Sequence, residues 1–385
     1  MRRKLNTTNY ASVPIDDWLD FFNGIFQKRN DQLRKENEEY TKFMWLKVIE
    51  HSTRIAEAIR KRAFFEAVSS VARVFCWTCG FVQNNSELLE IGGTRPCLSD
   101  ILWHKYPRVC SYCAPPMSKH ITETIRRRGI LPCSCEPSTE DIENKRPESG
   151  QLDEYRNADD PNLRPPHSLN DWSNMIGTIY AQRCSLMSLE SICFHFLEEV
   201  GEVLTMMQMI ANFETNFPSG TPVSQIKKKL VFRKFFKDII AQRDAKYEDF
   251  RNLLTQSLRD EIADVLSWLF SLVKKLLSER ESFLAYEKNV LELIENHDEL
   301  RGLMGMLGHD IRMASPTPPK QGVLTFASIA YVFYAGGCPM CKNFEHGQQR
   351  CLCDMKIPTF LLTDQSKEYE HANLSTKSHM SKTMR

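Results

Sequence analysis

Long apolar runs are missing from this chain. No stretch reaches the roughly 18 apolar residues that a membrane span needs; the longest candidate, around Val265 to Leu277, is broken by Lys274 and Lys275. The start, MRRKLNTTNY, carries charge with no apolar segment behind it, so no secretory signal is expected. Net charge is just as scarce. A formal +1 argues against a dedicated nucleic-acid binder, although basic clusters occur locally. Alternating β-branched segments are few, which speaks against a sheet. The expectation is a cytoplasmic, mainly helical protein. In a reducing compartment its 13 cysteines point to metal rather than to disulfides.

What is present repeats. At 385 residues, with 42% hydrophobic and 26% charged residues, the chain has room for two or three domains. PIDDWLDFFNGIFQKR from Pro14 is answered by SLNDWSNMIGTIYAQR from Ser168, which pairs Trp18 with Trp172, Gly24 with Gly177 and Arg29 with Arg183. WLKVIEHSTRIAEA (Trp45 to Ala58) answers HFLEEVGEVLTM, with Glu50 opposite Glu198; SVARVFCW answers EIADVLSW, with Trp77 opposite Trp268. A cysteine module closes each copy. Four segments recurring in one order indicate an internal duplication.

Apolar periodicity predicts helices over Asp16 to Arg34, Lys42 to Lys61, Ala63 to Val82, Leu169 to Met187, Ser188 to Phe213 and Leu258 to Ser278. Residues 136–167 are polar and rich in Pro, and read as a solvated linker between unit 14–135 and unit 168–353. The second unit carries insertions at 213–257 and 279–321. Between Glu202 and Glu261 lie 58 residues, against 15 between the aligned Arg54 and Ser70. Inside the first insertion Asn212 to Ser224 reads as a loop, while Gln225 to Gln256 reads as helix, with a basic run, Lys227 to Lys237, that is a solvated face or a contact for substrate phosphates or an acidic partner. Phe283 to Leu307 also looks helical. The tail, 354–385, reads as largely disordered.

Cys110-Ser-Tyr-Cys113 is followed by Cys133-Ser-Cys135, and Cys338-Pro-Met-Cys341 by Cys351-Leu-Cys353. Four thiolates in two close pairs make a tetrahedral zinc site, and with every ligand supplied by protein such a site is structural. Two structural Zn²⁺ ions are therefore expected. Cys76, Cys79, Cys97, Cys184 and Cys193 read as ordinary thiols.

The acidic residues of the second unit are the candidate site. Glu199 and Glu202 stand at i and i+3, as do Glu261 and Asp264, so each pair shares a helix face. Apolar neighbours frame all four. Buried like charges need a cation to remain ionised, and hard oxygen donors suit Mg²⁺ or Mn²⁺. EExxE (Glu198 to Glu202) followed by ExxD (Glu261 to Asp264) resembles the MazG-like all-α nucleoside triphosphate pyrophosphohydrolases. The framing FLEEVGEV and DEIADVLSWL is similar too, and LSDILWHKYPRVCSYC (Leu98 to Cys113) resembles the Cys-bearing extension of some members. The spacer between the motifs is longer than is usual in that family.

The resemblance implies an all-α fold of two tandem helical-bundle units packed as a pseudo-dimer, each followed by a zinc knuckle. It implies that Glu199, Glu202, Glu261 and Asp264 hold Mg²⁺ and that Glu198 orients or deprotonates water. The reaction implied is hydrolysis of a nucleoside triphosphate to a monophosphate and pyrophosphate. In the first unit the aligned ligand positions are His51, Arg54, Ser70 and Arg73, which cannot hold a cation. That unit is expected to be catalytically silent and to lend groups to the other. Lys105 is a candidate contributor, or a surface lysine; Trp172 and Tyr180 are stacking candidates for a base, or core residues. Two rivals stand beside this reading: a nucleotide-sensing or protein-interaction module that keeps the fold, and a zinc-dependent nucleic-acid binder using Arg126, Arg127 and Arg128. A homo-oligomer or another protein partner is compatible with the first two readings.

Overall fold

The computed structural model describes residues 10–36, 39–135, 151–156, 164–230, 234–295 and 324–334. Among these residues the fold is all-α, with 15 α-helices and no sheet; two isolated β-bridges are the only extended pairings. The first unit supplies α1 (Asp17–Glu36), α2 (Tyr40–Arg60), α3 (Phe64–Asn84), α4 (Ser86–Leu89), α5 (Leu98–Lys105) and α6 (Lys119–Arg128), and α7 (Gln151–Arg156) follows. The second supplies α8 (Leu169–Ile179), α9 (Ala181–Leu186), α10 (Leu189–Asn216), α11 (Val223–Leu230), α12 (Lys237–Ala241), α13 (Tyr247–Ser278), α14 (Arg280–Glu295) and α15 (Phe326–Tyr334).

Two antiparallel helix pairs form the centre. A three-residue turn at 61–63 folds α3 back on α2, while α10 and α13 run past each other so that Glu199 meets Trp268 and Phe213 meets Phe250. The pairs join where α2 packs on α10, and there the buried Trp45 Nε1 donates to the Val200 carbonyl at 2.9 Å. Helix α3 is apolar nearly all round, as a helix enclosed by neighbours must be. It is the one described helix long and apolar enough to cross a membrane, yet 67% of its most apolar stretch is buried inside the fold.

Local chemistry explains the boundaries. Ser168 and Asp171 form a capping box at the start of α8, each side chain serving the other's backbone N–H at 3.1 and 3.0 Å. Ser188 caps α10 by accepting the Ser191 N–H at 3.1 Å, without the reciprocal bond. Asp16 accepts the Ser99 N–H at 3.0 Å and its hydroxyl at 2.5 Å, which fastens the N-terminal turn of α5 to the entry of α1.

Four expectations change. The loop expected over Asn212 to Ser224 is confined to 217–222, because α10 continues to Asn216 and α11 starts at Val223. The stretch 225–256 is not one helix: α11 and α12 are short, the backbone is extended at Gln242 and Lys246, and α13 begins at Tyr247, eleven residues before Leu258. Asp249 explains this start, because its carboxylate accepts the Lys246 N–H at 2.6 Å. Helix 169–187 is interrupted at Tyr180, whose backbone leaves the helical region and whose ring is drawn into the core against Tyr106. The linker is not wholly solvated. Within it Tyr155 of α7 is buried with Val109, Ala114 and Ile125 and donates to the Pro115 carbonyl at 2.6 Å, so one aromatic residue is enough to dock a turn of helix. The tail at 354–385 and the 296–307 part of the helix expected beyond Phe283 lie outside the described residues.

Candidate metal centres

Helices α10 and α13 place Glu199, Glu202 and Glu261 so that one carboxylate oxygen from each lies within 4.8 Å of the others. Their antiparallel packing brings the i, i+3 pair of one helix opposite that of the other, as the spacing predicts. Asp264, one turn beyond Glu261, is buried beside this trio and is held from the first unit. The Lys105 ammonium forms an ion pair with one of its oxygens and the Tyr106 hydroxyl donates to the other. Both donors stand at the C-terminal end of α5, so the end of one short helix engages the candidate acid.

Crowding these carboxylates has an electrostatic cost that no described residue fully offsets. Burial, then the charges of Asp264, Glu202 and Glu261, push Glu199 up to about 9. Burial pushes Glu261 up to about 8 against the pull of Lys105, with Asp264 and Glu202 adding to the rise. Asp264 is raised by burial in spite of Lys105 and Tyr106. Burial alone would lower the Lys105 ammonium, but Asp264 holds it well above the lysine range and thus charged. Groups whose ionised forms are this unfavourable match a cation of hard character, which would restore three or four carboxylates to charge.

Around the acids stand residues that sequence reasoning used only as markers of the repeat or did not single out. Trp268 Nε1 donates to Glu199 at 3.2 Å; His195 stacks on Trp268 at 4.8 Å, and the Arg183 guanidinium lies 5.1 Å from its ring centre. No side-chain hydrogen bond or ion pair joins Arg183 to another described residue. Behind Asp264, the partly exposed Asp260 accepts from Gln256 at 2.9 Å and meets His104 at 3.0 Å. Burial would raise Asp260, but the His104 contact and the Lys105 charge bring it below the usual range. The recurrence of the Arg183 and Trp268 pair as Arg29 and Trp77 was the available signal for the first group; Tyr106 was hidden beside Lys105.

Glu198 lies outside the trio: it is exposed and meets His195 at 2.8 Å, as the 100° step from Glu199 requires. Lys105 is a half-turned inward contributor with 14% of its side chain exposed, rather than a surface lysine. Trp172 is fully buried and packs edge-on against Trp103 at 6.4 Å, so it offers no face to a ligand; its place is the core, as for Trp18. Tyr180 is likewise core.

The first cysteine module comes together. Cys110, Cys113, Cys133 and Cys135 bring one sulfur each within 4.8 Å of the others, with Cys110 to Cys135 at 3.9 Å and Cys113 to Cys133 at 3.8 Å. Backbone N–H groups of Tyr112, Ser134 and Cys135 point at the sulfurs of Cys110, Cys113 and Cys133 at 3.3 to 3.5 Å. Donors aimed at sulfur favour thiolate, and four thiolates at this spacing fit a structural zinc ion. Cys338, Cys341, Cys351 and Cys353 lie outside the described residues.

The contact between Lys105 and Asp264 yields a first prediction. Lys105→Met is expected to destabilise the divalent-free protein by about 3 kcal/mol, because a buried carboxylate loses its counter-charge. Asp264→Asn is expected to cost less, since the lysine stem can turn its ammonium to water. Urea unfolding of both variants checks the order. Comparison with protein-family models, curated proteins and solved structures finds no match to this chain, so its site is read from its own residues.

Proposed function

We propose that the chain is a divalent-cation-dependent nucleotide pyrophosphohydrolase, which cleaves a (d)NTP between its α- and β-phosphates and works in the cytoplasm. The observation that carries this reading is the convergence of Glu199, Glu202 and Glu261 beside the buried Asp264, with the first two of the trio's helix faces supplied by EExxE. Glu199, Glu202, Glu261 and Asp264 would hold Mg²⁺ or Mn²⁺. When bound, the cation supplies neutralisation of phosphate charge and an activated water. Lys105 and Arg183 bring positive charge to the two flanks of the acids, where phosphate oxygens need it. Trp268 positions Glu199 through its N–H. Glu198, engaged with His195 on the outer side of α10, is assigned the lesser role of orienting or accepting a proton from water.

The two units read as a fused pseudo-dimer of MazG-like type, with the first silent. Reciprocity of contact supports this. The antiparallel bridge between Pro14 and Ser168 joins aligned positions, as a two-fold axis requires. Tyr106 of the first unit reaches Asp264 of the second, while its counterpart Tyr334 lines a cavity beside Arg73, the residue that replaces Asp264. The test is a pyrophosphate-release panel over dNTPs, NTPs and modified nucleotides with Mg²⁺ and with Mn²⁺. Turnover of at least one is expected, and silence across the whole panel would sink the reading.

A further inference from the structure

Where the second unit gathers acids, the first forms most of a half-open pocket of about 210 Å³ between α1, α2 and α3, closed on one side by Tyr334 of α15. Four cationic side chains and a single carboxylate line it. Lys47, Arg54 and Arg73 come from the faces that in the second unit carry the candidate ligands, and the aromatic rings of Phe26 and Trp77 form apolar wall. Glu50 is shared by Lys47 and Arg54, with both contacts at 2.6 Å, so one negative charge serves two positive ones. The Arg73 side chain makes no hydrogen bond or ion pair with another described residue.

His51, which replaces the ligand Glu199, is more than nine-tenths buried against this cavity, and its Nδ1 has no hydrogen-bond partner among the described residues. Burial, opposed by Glu50 and reinforced by Arg73, Arg54 and Lys47, holds His51 down at about 4. The imidazole is therefore neutral at physiological pH and lies beside an excess of positive charge. Such a cavity is matched by an anion with an aromatic part: phosphates on the cations, and a ring at the edge of the Trp77 and Phe26 wall, over which the Arg29 guanidinium lies at 5.4 and 5.9 Å. A divalent cation has no place there, because arginines stand where carboxylates would hold it.

We infer that this cavity is a second, non-catalytic nucleotide site, in which Arg54, Arg73 and Lys47 hold the phosphates directly and no divalent cation takes part. Duplication has then produced two ways of holding one class of ligand: through a cation in the second unit, and by protein cations in the first. The inference rests on the lining of the cavity and stands whether or not the second unit hydrolyses nucleotides.

The experiment is equilibrium binding of ATP to the full chain in buffer free of Mg²⁺, Mn²⁺ and chelators, so that cysteine-held zinc is kept. One ATP per chain is expected to bind, and adenosine is not. Arg54→Gln and Arg73→Gln should each weaken ATP about tenfold or more, whereas Glu202→Gln should leave metal-free binding in place. Arg54 is half-exposed (51% of its side chain), so its variant will fold, and an unchanged melting temperature verifies that. ATP binding untouched by both arginine variants, or abolished by Glu202→Gln alone, would overturn the assignment. Inorganic pyrophosphate binding as tightly as ATP would also overturn it, because the aromatic wall would then read nothing.

Discussion

Glu202→Gln is expected to reduce pyrophosphate release by roughly a hundredfold or more, and Glu261→Gln by a similar factor. Each removes one charged oxygen donor from a group of three whose oxygens lie within 4.8 Å of one another, and neither has another described partner that would keep it in place for structural reasons. Glu198→Gln, on the exposed side of α10, is expected to have a smaller effect. Activity unaffected by both Glu202→Gln and Glu261→Gln would refute the assignment of the acids as a cation site.

The same residues predict a pH effect that needs no substrate. The folded protein holds Glu199 at about 9 and Glu261 at about 8, above the ordinary carboxylate value of 4.5. Between those limits the folded state binds more protons than the unfolded one. Stability without divalent cations should therefore be greatest at acid pH and fall as pH rises through 8 to 9. Mg²⁺ binds the ionised forms and should remove most of that fall. Thermal melts at pH 6 and pH 8.5, with and without Mg²⁺, check the sign, and Glu199→Gln should flatten the profile. A metal-free protein that gains stability between these two pH values would contradict the electrostatics described above.

Removing zinc from the first knuckle is expected to have the largest effect on the fold. Structural zinc contributes about 10–16 kcal/mol of apparent binding energy in small domains, and here the knuckle is joined to the bundle. The Cys133 N–H donates to the Ile179 carbonyl at 2.7 Å, and the Tyr180 hydroxyl reaches the Cys110 sulfur at 3.6 Å. Cys110 follows Tyr106 by only four residues, so loss of the knuckle frees the turn that brings Lys105 and Tyr106 to Asp264. Cys113→Ser should lower bound zinc by one per chain, reduce the melting temperature by on the order of 10 °C, and depress pyrophosphate release although no sulfur touches the acids. Unchanged zinc content in this variant would remove the cysteine quartet as a zinc site. Normal hydrolysis after zinc loss would instead break the link between knuckle and acids.

Helix pairs α2/α3 and α10/α13 follow from apolar periodicity, and the i, i+3 spacing already placed Glu199 with Glu202 and Glu261 with Asp264 on common faces. The Cys110 to Cys135 quartet was readable because ligand pairs are local in sequence. The start of α13 was misread because Asp249 caps it from within an apparently continuous basic and apolar pattern. Tyr155 was missed because one docked aromatic leaves no period to detect.

Sequence alone therefore determined the all-α class and the contrast between the acidic residues of α10 and α13 and the basic ones of α2 and α3. Those are properties of spacing and residue type within single helices. Only tertiary structure decided that Asp264 is gripped by Lys105 and Tyr106 from the other unit, that Trp172 is core while Trp268 attends the acids, and that Arg54, Arg73 and His51 face a cavity. Each of these depends on which helix ends meet across long sequence separations, and no local pattern encodes that meeting.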